Sequence, residues 1–319
     1  MAIGSAGRKL LPTPLAVHPR AEGEGLSRLK PDSLIHRYVR RSTRVAFAGT
    51  RQFRRPHESS PLPGFWEQVW TKEQKFFGSG RGEFRHYTSF ISVSSIAEQY
   101  YCEYKLENEF ALGEIPTEAK DTGTALHDEL MPTERITREE FAKLVGRRKP
   151  SLAVLRVWGL AGGLKVVGIP DHIIWASGRP LWVVELKTTR GDPSLLWEDQ
   201  EYQVRIYGLL INRMGFDCSR MRLAVVRLRS GELTTEEKEE WTQRVSTALL
   251  KGKTRTLELE YAGKVKVHLL EHDLGKAEEA VAMKAGYWLG RREPGSSTSV
   301  GKCRACEYNT LCPKTLFKP

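Results

Sequence analysis

The run "LKVVGIPDHIIWASGRPLWVVELKTT", residues 164–189, limits what this chain can become more than any other stretch. Its Val, Ile, Leu and Trp content comes in strand-length segments, and Ser-Gly marks a turn between the last two. That pattern predicts sequential antiparallel strands ending in a hairpin buried in the protein. A buried hairpin should exclude charge, yet this one carries Asp171, Glu185 and Lys187.

Residues two apart on a strand share a face, so Glu185 and Lys187 project together while Val184 and Leu186 project the other way. A three-residue turn over 177–179, centred on Gly178, sets Asp171 directly opposite Glu185, whereas a two-residue turn sends Asp171 to the wrong face. Opposed carboxylates repel, and burial sharpens the repulsion. A divalent cation resolves it: two hard oxygen donors suit Mg²⁺ or Mn²⁺, and Lys187, one pleat away, can orient a water for attack on phosphorus. The plainer alternative is a structural Asp–Lys–Glu ion-pair cluster. His172 falls on the opposite face from Asp171 and reads as structural.

Helical patterns surround these strands. "SVSSIAEQYYCEYKLENEF" opens on Ser residues suited to capping and places Cys102 inside or near the end of a helix. "AKDTGTALHDELM" sets Gly123 and His127 four apart, hence on one face. "SLLWEDQEYQVRIYGLLINRMG" is amphipathic and ends at Gly215. Downstream follow a strand at "MRLAVVRLRSG", a charged helix at "TTEEKEEWTQRVSTALLKG", a strand at "KVKVHLLEHD" and a last helix stopped before Pro294. Helices before and after a mixed central sheet indicate an α/β class.

Motif order carries a resemblance. "PD" at Pro170 and Asp171, a hairpin, and then "ELK" at Glu185, Leu186 and Lys187 resemble the PD-(D/E)xK nuclease superfamily. Gln203 and Tyr207 in "QVRIY" match the Q-x-x-x-Y element of its RecB-like branch, and Gly123 with His127 in "GTALH" match the G-x-x-x-H element. The resemblance implies a restriction-endonuclease-like core with a mixed sheet flanked by helices. It also implies that His127, Asp171, Glu185 and the Leu186 carbonyl hold the metal, that Lys187 activates water, and that Gln203 and Tyr207 position the DNA backbone or the lysine.

Cysteines follow a C-x2-C-x5-C spacing at Cys303, Cys306 and Cys312, and Cys102 is the available fourth ligand; Cys218 has no partner at ligand spacing. Four thiolates suit either zinc or an iron–sulfur cluster. Taken with the RecB-like motifs, the pattern resembles the iron–sulfur nucleases: the CRISPR-associated RecB-like exonucleases, the exonuclease V family and the nuclease domains of related helicase–nucleases. This implies a structural [4Fe-4S] cluster on Cys102, Cys303, Cys306 and Cys312.

The formal net charge of +11 suggests a polyanionic partner. Residues 1–88 hold sixteen Lys or Arg against seven Asp or Glu and show little periodicity, so they read as a basic, mobile extension that could grip phosphates. A short helix is expected near "FWEQVWTKEQKFF", its aromatics docking on the nuclease domain that begins at residue 89. No apolar stretch is long enough to span a membrane, no signal-peptide core is present, and the reducing cytoplasm is the expected compartment. The expected activity is a Mg²⁺- or Mn²⁺-dependent exonuclease on single-stranded DNA ends, working with DNA-repair or CRISPR adaptation proteins. The non-enzymatic rival is a DNA-binding or assembly subunit.

Overall fold

The computed structural model describes residues 64–79, 82–130, 134–229, 231 and 233–318, together with Tyr38–Val39. Most of the expected basic extension therefore lies outside the described residues. Tyr38–Val39 (β1) pairs antiparallel with Glu134–Arg135 (β3).

Helix α1 (Phe65–Gly78) has the apolar face that its sequence promised, and that face is part of the core. Trp66 meets Phe141 edge-on at 5.5 Å between ring centroids, Phe65 meets Phe216 at 5.2 Å, and Phe76 lies 5.1 Å from Trp158. Residues 65–78, which sequence pattern alone assigns to the extension, thus pack as one body with the strands that follow.

After β2 (Ile91–Ser92), helix α2 (Val93–Tyr101) starts where the Ser92 hydroxyl accepts the Ser95 amide. Cys102 is extended and separates α2 from α3 (Glu103–Leu112), so it lies in a break between two helices. Next come α4 (Glu118–Leu130), α5 (Arg138–Val145), β4 (Ser151–Leu152), β5 (Val157–Ala161), β6 (Leu164–Gly168), β7 (His172–Ala176) and β8 (Arg179–Thr189). The chain continues through α6 (Glu198–Arg213), β9 (Arg222–Arg229), α7 (Thr235–Lys251), α8 (Thr254–Glu260), β10 (Val265–Glu271), α9 (Leu274–Trp288) and α10 (Val300–Ala305).

The strands form a five-stranded mixed sheet, ordered β10-β9-β8-β7-β4, and a three-stranded mixed sheet, ordered β2-β6-β5. The single central sheet expected from the sequence is therefore two sheets, and the run "LKVVGIPDHIIWA" divides between them. Pro170, without an amide proton to give a ladder, falls in the crossing between β6 and β7. Strand β8 pairs antiparallel with β7 and parallel with β9, and α6 supplies the crossover that a parallel pair requires.

Register in the hairpin differs from expectation in an instructive way. Ala176 pairs with Arg179, so the turn has two residues, Ser177 and Gly178, both with positive φ (52° and 75°) as a tight primed turn needs. By itself this would misplace Asp171. A bulge then restores the alignment: Trp175 faces Pro180 but Ile174 faces Trp182, which leaves Leu181 as an extra residue on β8. Beyond it His172 faces Val184, so continuation of the ladder brings Asp171 level with Glu185.

Alternation along β8 divides the core. Val183, with Ile173, Trp175, Leu223 and Val225, joins the cluster containing Val204, Leu209 and Ile211 of α6. Trp182, Val184 and Leu186 join the opposite cluster, with Trp241 and Val245 of α7 and Leu257 of α8. Glu185 and Lys187 therefore share the face that looks towards α6.

Candidate active site

Three elements converge at the end of the hairpin. Asp171, just before β7, accepts the Leu186 amide on Oδ2 at 2.7 Å and contacts His127 Nε2 of α4 through Oδ1 at 2.9 Å. On β8, Lys187 Nζ is 2.9 Å from Glu185 Oε1. Glu185 is only 3% exposed, and its second oxygen, Oε2, is buried with no hydrogen-bond partner among the described residues.

Electrostatics follow from this crowding. Burial, then the neighbouring Asp171, pushes the Glu185 carboxyl up to about 7, against the pull of Lys187. Asp171 is held low despite its burial, first by the His127 hydrogen bond and charge, then by Lys187 and the Leu186 amide. The Asp171 hydrogen bond raises His127, and Glu185 with Asp171 raises Lys187 against its desolvation. The pair is thus unequal: Asp171 stays ionised while Glu185 holds a proton into the neutral range.

Helix α6 supplies the floor. Buried Gln203 donates from Nε2 to the Tyr207 hydroxyl at 3.3 Å, and Ser94 of α2 also hydrogen-bonds that hydroxyl. Burial, followed by the charge of Glu185, raises Tyr207 far above the usual phenol range, so it remains a neutral donor. Gly168 makes this approach possible: a Cβ there would lie 2.6 Å from the Tyr207 ring and 2.8 Å from Val93. Gly123 serves α4 in a milder way, since a Cβ there would lie 3.3 Å from the Thr188 hydroxyl of β8. The structure thus brings His127, Asp171, Glu185, Leu186, Lys187, Gln203 and Tyr207 into one neighbourhood. His172 is buried, as its register predicts.

Asp199 was missed from sequence. It lies four residues before Gln203 on the same helical face, its carboxyl raised by burial while the charges of Lys187 and Lys302 act against that shift. The i, i+4, i+8 spacing of Asp199, Gln203 and Tyr207 was the available signal.

A family profile described as the PD-(D/E)XK nuclease superfamily matches residues 92–313. The chain belongs to this superfamily. Within the matched residues Asp171 lies just before β7, and Glu185 and Lys187 lie on β8. No curated protein matches the chain. A solved structure described as the crystal structure of SSO0001 is 14% identical, with 79% of this chain and 96% of that chain covered and a TM-score of 0.38.

Superfamily nucleases usually use Mg²⁺ or Mn²⁺, and the donor set fits such an ion: one carboxylate on β8 and one just before the neighbouring β7, with the orphaned Glu185 Oε2 as the oxygen in need of a cation. Among the described residues, however, no three His, Cys, Asp or Glu side chains already converge as ligands of one ion. His127, the Leu186 amide and Lys187 occupy the remaining carboxylate oxygens instead.

Cys102, Cys303, Cys306 and Cys312 line one partly open recess, shared with Lys105 and Lys302. None is in a disulfide. Lys314 lines the recess as well, and among the described residues these thiols do not already converge as ligands of one ion. Cys218 stands apart in the core, its thiol pushed up to about 12 by burial.

Among the described residues no helix is long and apolar enough to cross a membrane.

Proposed function

We propose that this chain is a Mg²⁺- or Mn²⁺-dependent deoxyribonuclease that trims single-stranded DNA from its ends, in DNA repair or in CRISPR spacer acquisition. Membership of a nuclease superfamily supports phosphodiester hydrolysis. The observation that carries the reading is Glu185, a buried carboxylate with one unpartnered oxygen, level with Asp171 and beside Lys187.

Asp171, Glu185, the Leu186 carbonyl and His127 would hold the ion. When bound, it polarises the phosphoryl group and lowers the pKa of an attacking water. The protein's own groups do the rest. The Leu186 amide fixes the Asp171 carboxylate, and Lys187, kept protonated by its two carboxylate neighbours, donates to the developing charge on phosphate. Tyr207, neutral and held by Gln203 and Ser94, sets the wall against which Lys187 and the DNA backbone are positioned.

In the same reading the four cysteines carry a [4Fe-4S] cluster that ties the break between α2 and α3 to α10 and the turns after it. Tyr101 reinforces this link by donating to the Lys302 carbonyl at 2.6 Å. Protein purified without oxygen should be brown, and Cys306→Ser should lose the colour; stoichiometric zinc in its place would refute the cluster.

A second reading, DNA binding without cutting, has one observation in its favour. The charged side chains of the site pair with one another, His127 with Asp171 and Lys187 with Glu185, and among the described residues no three-ligand group is preformed. The deciding experiment is an assay of the full chain on end-labelled and end-blocked single strands with Mg²⁺ or Mn²⁺, against Lys187→Ala. Metal-dependent cutting of free ends that the variant lacks supports the nuclease, equal cutting by both proteins would overturn the assigned site, and binding without cutting by either favours the second reading.

A further inference from the structure

Arg227 of β9 is the direct Cα partner of Lys187 in the parallel ladder between β8 and β9. The two side chains therefore leave the same face of the sheet, one strand apart. Lys187 has Glu185 as its counter-ion; among the described residues Arg227 has none. It is 2% exposed, and among the described residues its Nε is without a hydrogen-bond partner and its one hydrogen bond is a long one, 3.4 Å from Nη1 to the Asp192 carbonyl. The charges of Asp192 and Asp199 act on it against its desolvation, but among the described residues neither forms an ion pair with it.

A buried charge without a partner is strongly unfavourable. Proteins keep such a group where something outside the chain completes it, as Glu185 is completed by a cation in the reading above. For a guanidinium the complement is an oxyanion that accepts two parallel N–H bonds. Neighbouring strands are about 4.8 Å apart. That step is comparable with the spacing of successive phosphates along a single strand, about 3.4 Å of rise when stacked and more when extended.

We propose that Arg227 is the seat of a second phosphate, the phosphodiester immediately next to the one held at Asp171, Glu185 and Lys187. The inference rests on the nuclease reading for the position of the first phosphate. In the ligand-free chain the Asp192 carbonyl occupies the place of a phosphate oxygen. The segment 191–197 is held there by this bond and by His268, whose Nε2 lies 3.0 Å from the Pro193 carbonyl. Binding of a strand exchanges that peptide oxygen for the phosphate.

The test uses the full chain, without divalent metal, and short single-stranded oligonucleotides in which one phosphate at a time is replaced by a neutral methylphosphonate. Arg227→Gln is expected to weaken binding about 10- to 100-fold. It should also reduce the slope of log affinity against log salt by about 0.7. One methylphosphonate position should cost the wild type the same factor and cost Arg227→Gln nothing more. A purely structural arginine would behave otherwise, so melting temperature without DNA is the second readout: removal of the unpaired charge should leave it unchanged or higher. Arg227→Lys, which keeps the charge without the fork, should recover the salt slope but not the affinity.

Wild-type affinity and slope in Arg227→Gln, losses that add at every modified position, or no measurable binding by the wild type would each overturn the inference. If the strand is bound with the expected methylphosphonate pattern but never cut, the nuclease reading fails and the Arg227 site stands. If cutting persists in Arg227→Gln with unchanged KM, the reverse holds.

Discussion

Glu185 holds a proton that the unfolded chain would release, and this fixes the sign of a pH effect. Its folded pKa, about 7, lies above the usual carboxylate value, so its contribution to stability is complete below about pH 4.5 and is lost as pH rises through 7. His127 acts in the same direction above its usual value near 6.5, because its folded pKa is also raised. Asp171, held low, acts only below its usual range near 3.8. Metal-free wild type should therefore lose melting temperature relative to Glu185→Gln between pH 5 and 7.5, and a constant difference across that window would contradict the assignment. Because the ion must displace this proton, Mn²⁺ affinity should tighten by up to about tenfold per pH unit up to about 7, as isothermal titration would show. Lys187 is the complementary case. In the proposed mechanism it is the cation poised where charge develops, so Lys187→Ala should lower kcat about 10²- to 10³-fold, a larger factor than its loss of single-strand affinity.

At the scale of elements, the site depends on how closely α6 approaches the corner between the two sheets. Gly168→Ala would drive a methyl group into the Tyr207 ring and Val93, so it should destabilise the protein by about 1–3 kcal/mol and reduce kcat by displacing Tyr207. Denaturant melts alongside single-turnover rates separate the two effects; a variant of wild-type stability and rate would show that the contact is dispensable. The same corner shows what sequence could and could not convey. Alternation in "WVVELK" placed Glu185 and Lys187 on one face because a period of two survives any error in turn length. Turn length itself was misread, since the two-residue turn and the Leu181 bulge cancel in their effect on Asp171 and leave the same final alignment. The division into two sheets was hidden because apolar runs continue across residues 168–171, and only Pro170 marks the change. Asp199 and Arg227 were not singled out for a simpler reason: a charged residue in "WEDQ" or "VVRLR" looks like a solvated position until tertiary packing covers it.

For the whole molecule, the question is where the folded body begins, and two deletions decide it. Residues 1–63 carry twelve Lys or Arg against four Asp or Glu. Their described contribution to folding is the two-residue pairing of β1 with β3. Deletion of 1–63 should therefore leave the melting temperature nearly unchanged while lowering the affinity for long single strands and flattening its salt dependence. Deletion of 1–88 also removes α1, with buried Val69 and the partly buried rings of Phe65, Trp66, Trp70, Phe76 and Phe77. Full burial of such a side chain stabilises by about 1.5–3 kcal/mol. Partial burial of several brings the loss to the order of 5 kcal/mol, comparable with the whole stability of an ordinary domain. At roughly 2–4 °C per kcal/mol the longer deletion should melt at least 10 °C lower or fail to fold. Calorimetry of the two truncations against the full chain makes the comparison, and equal melting temperatures in all three would mean that α1 is an appendage. The expected order has a functional consequence. If basic residues 1–63 add reach along DNA while α1 braces the core against which the hairpin is packed, the shorter deletion should still cut short oligonucleotides at the full-chain rate. The longer one should not.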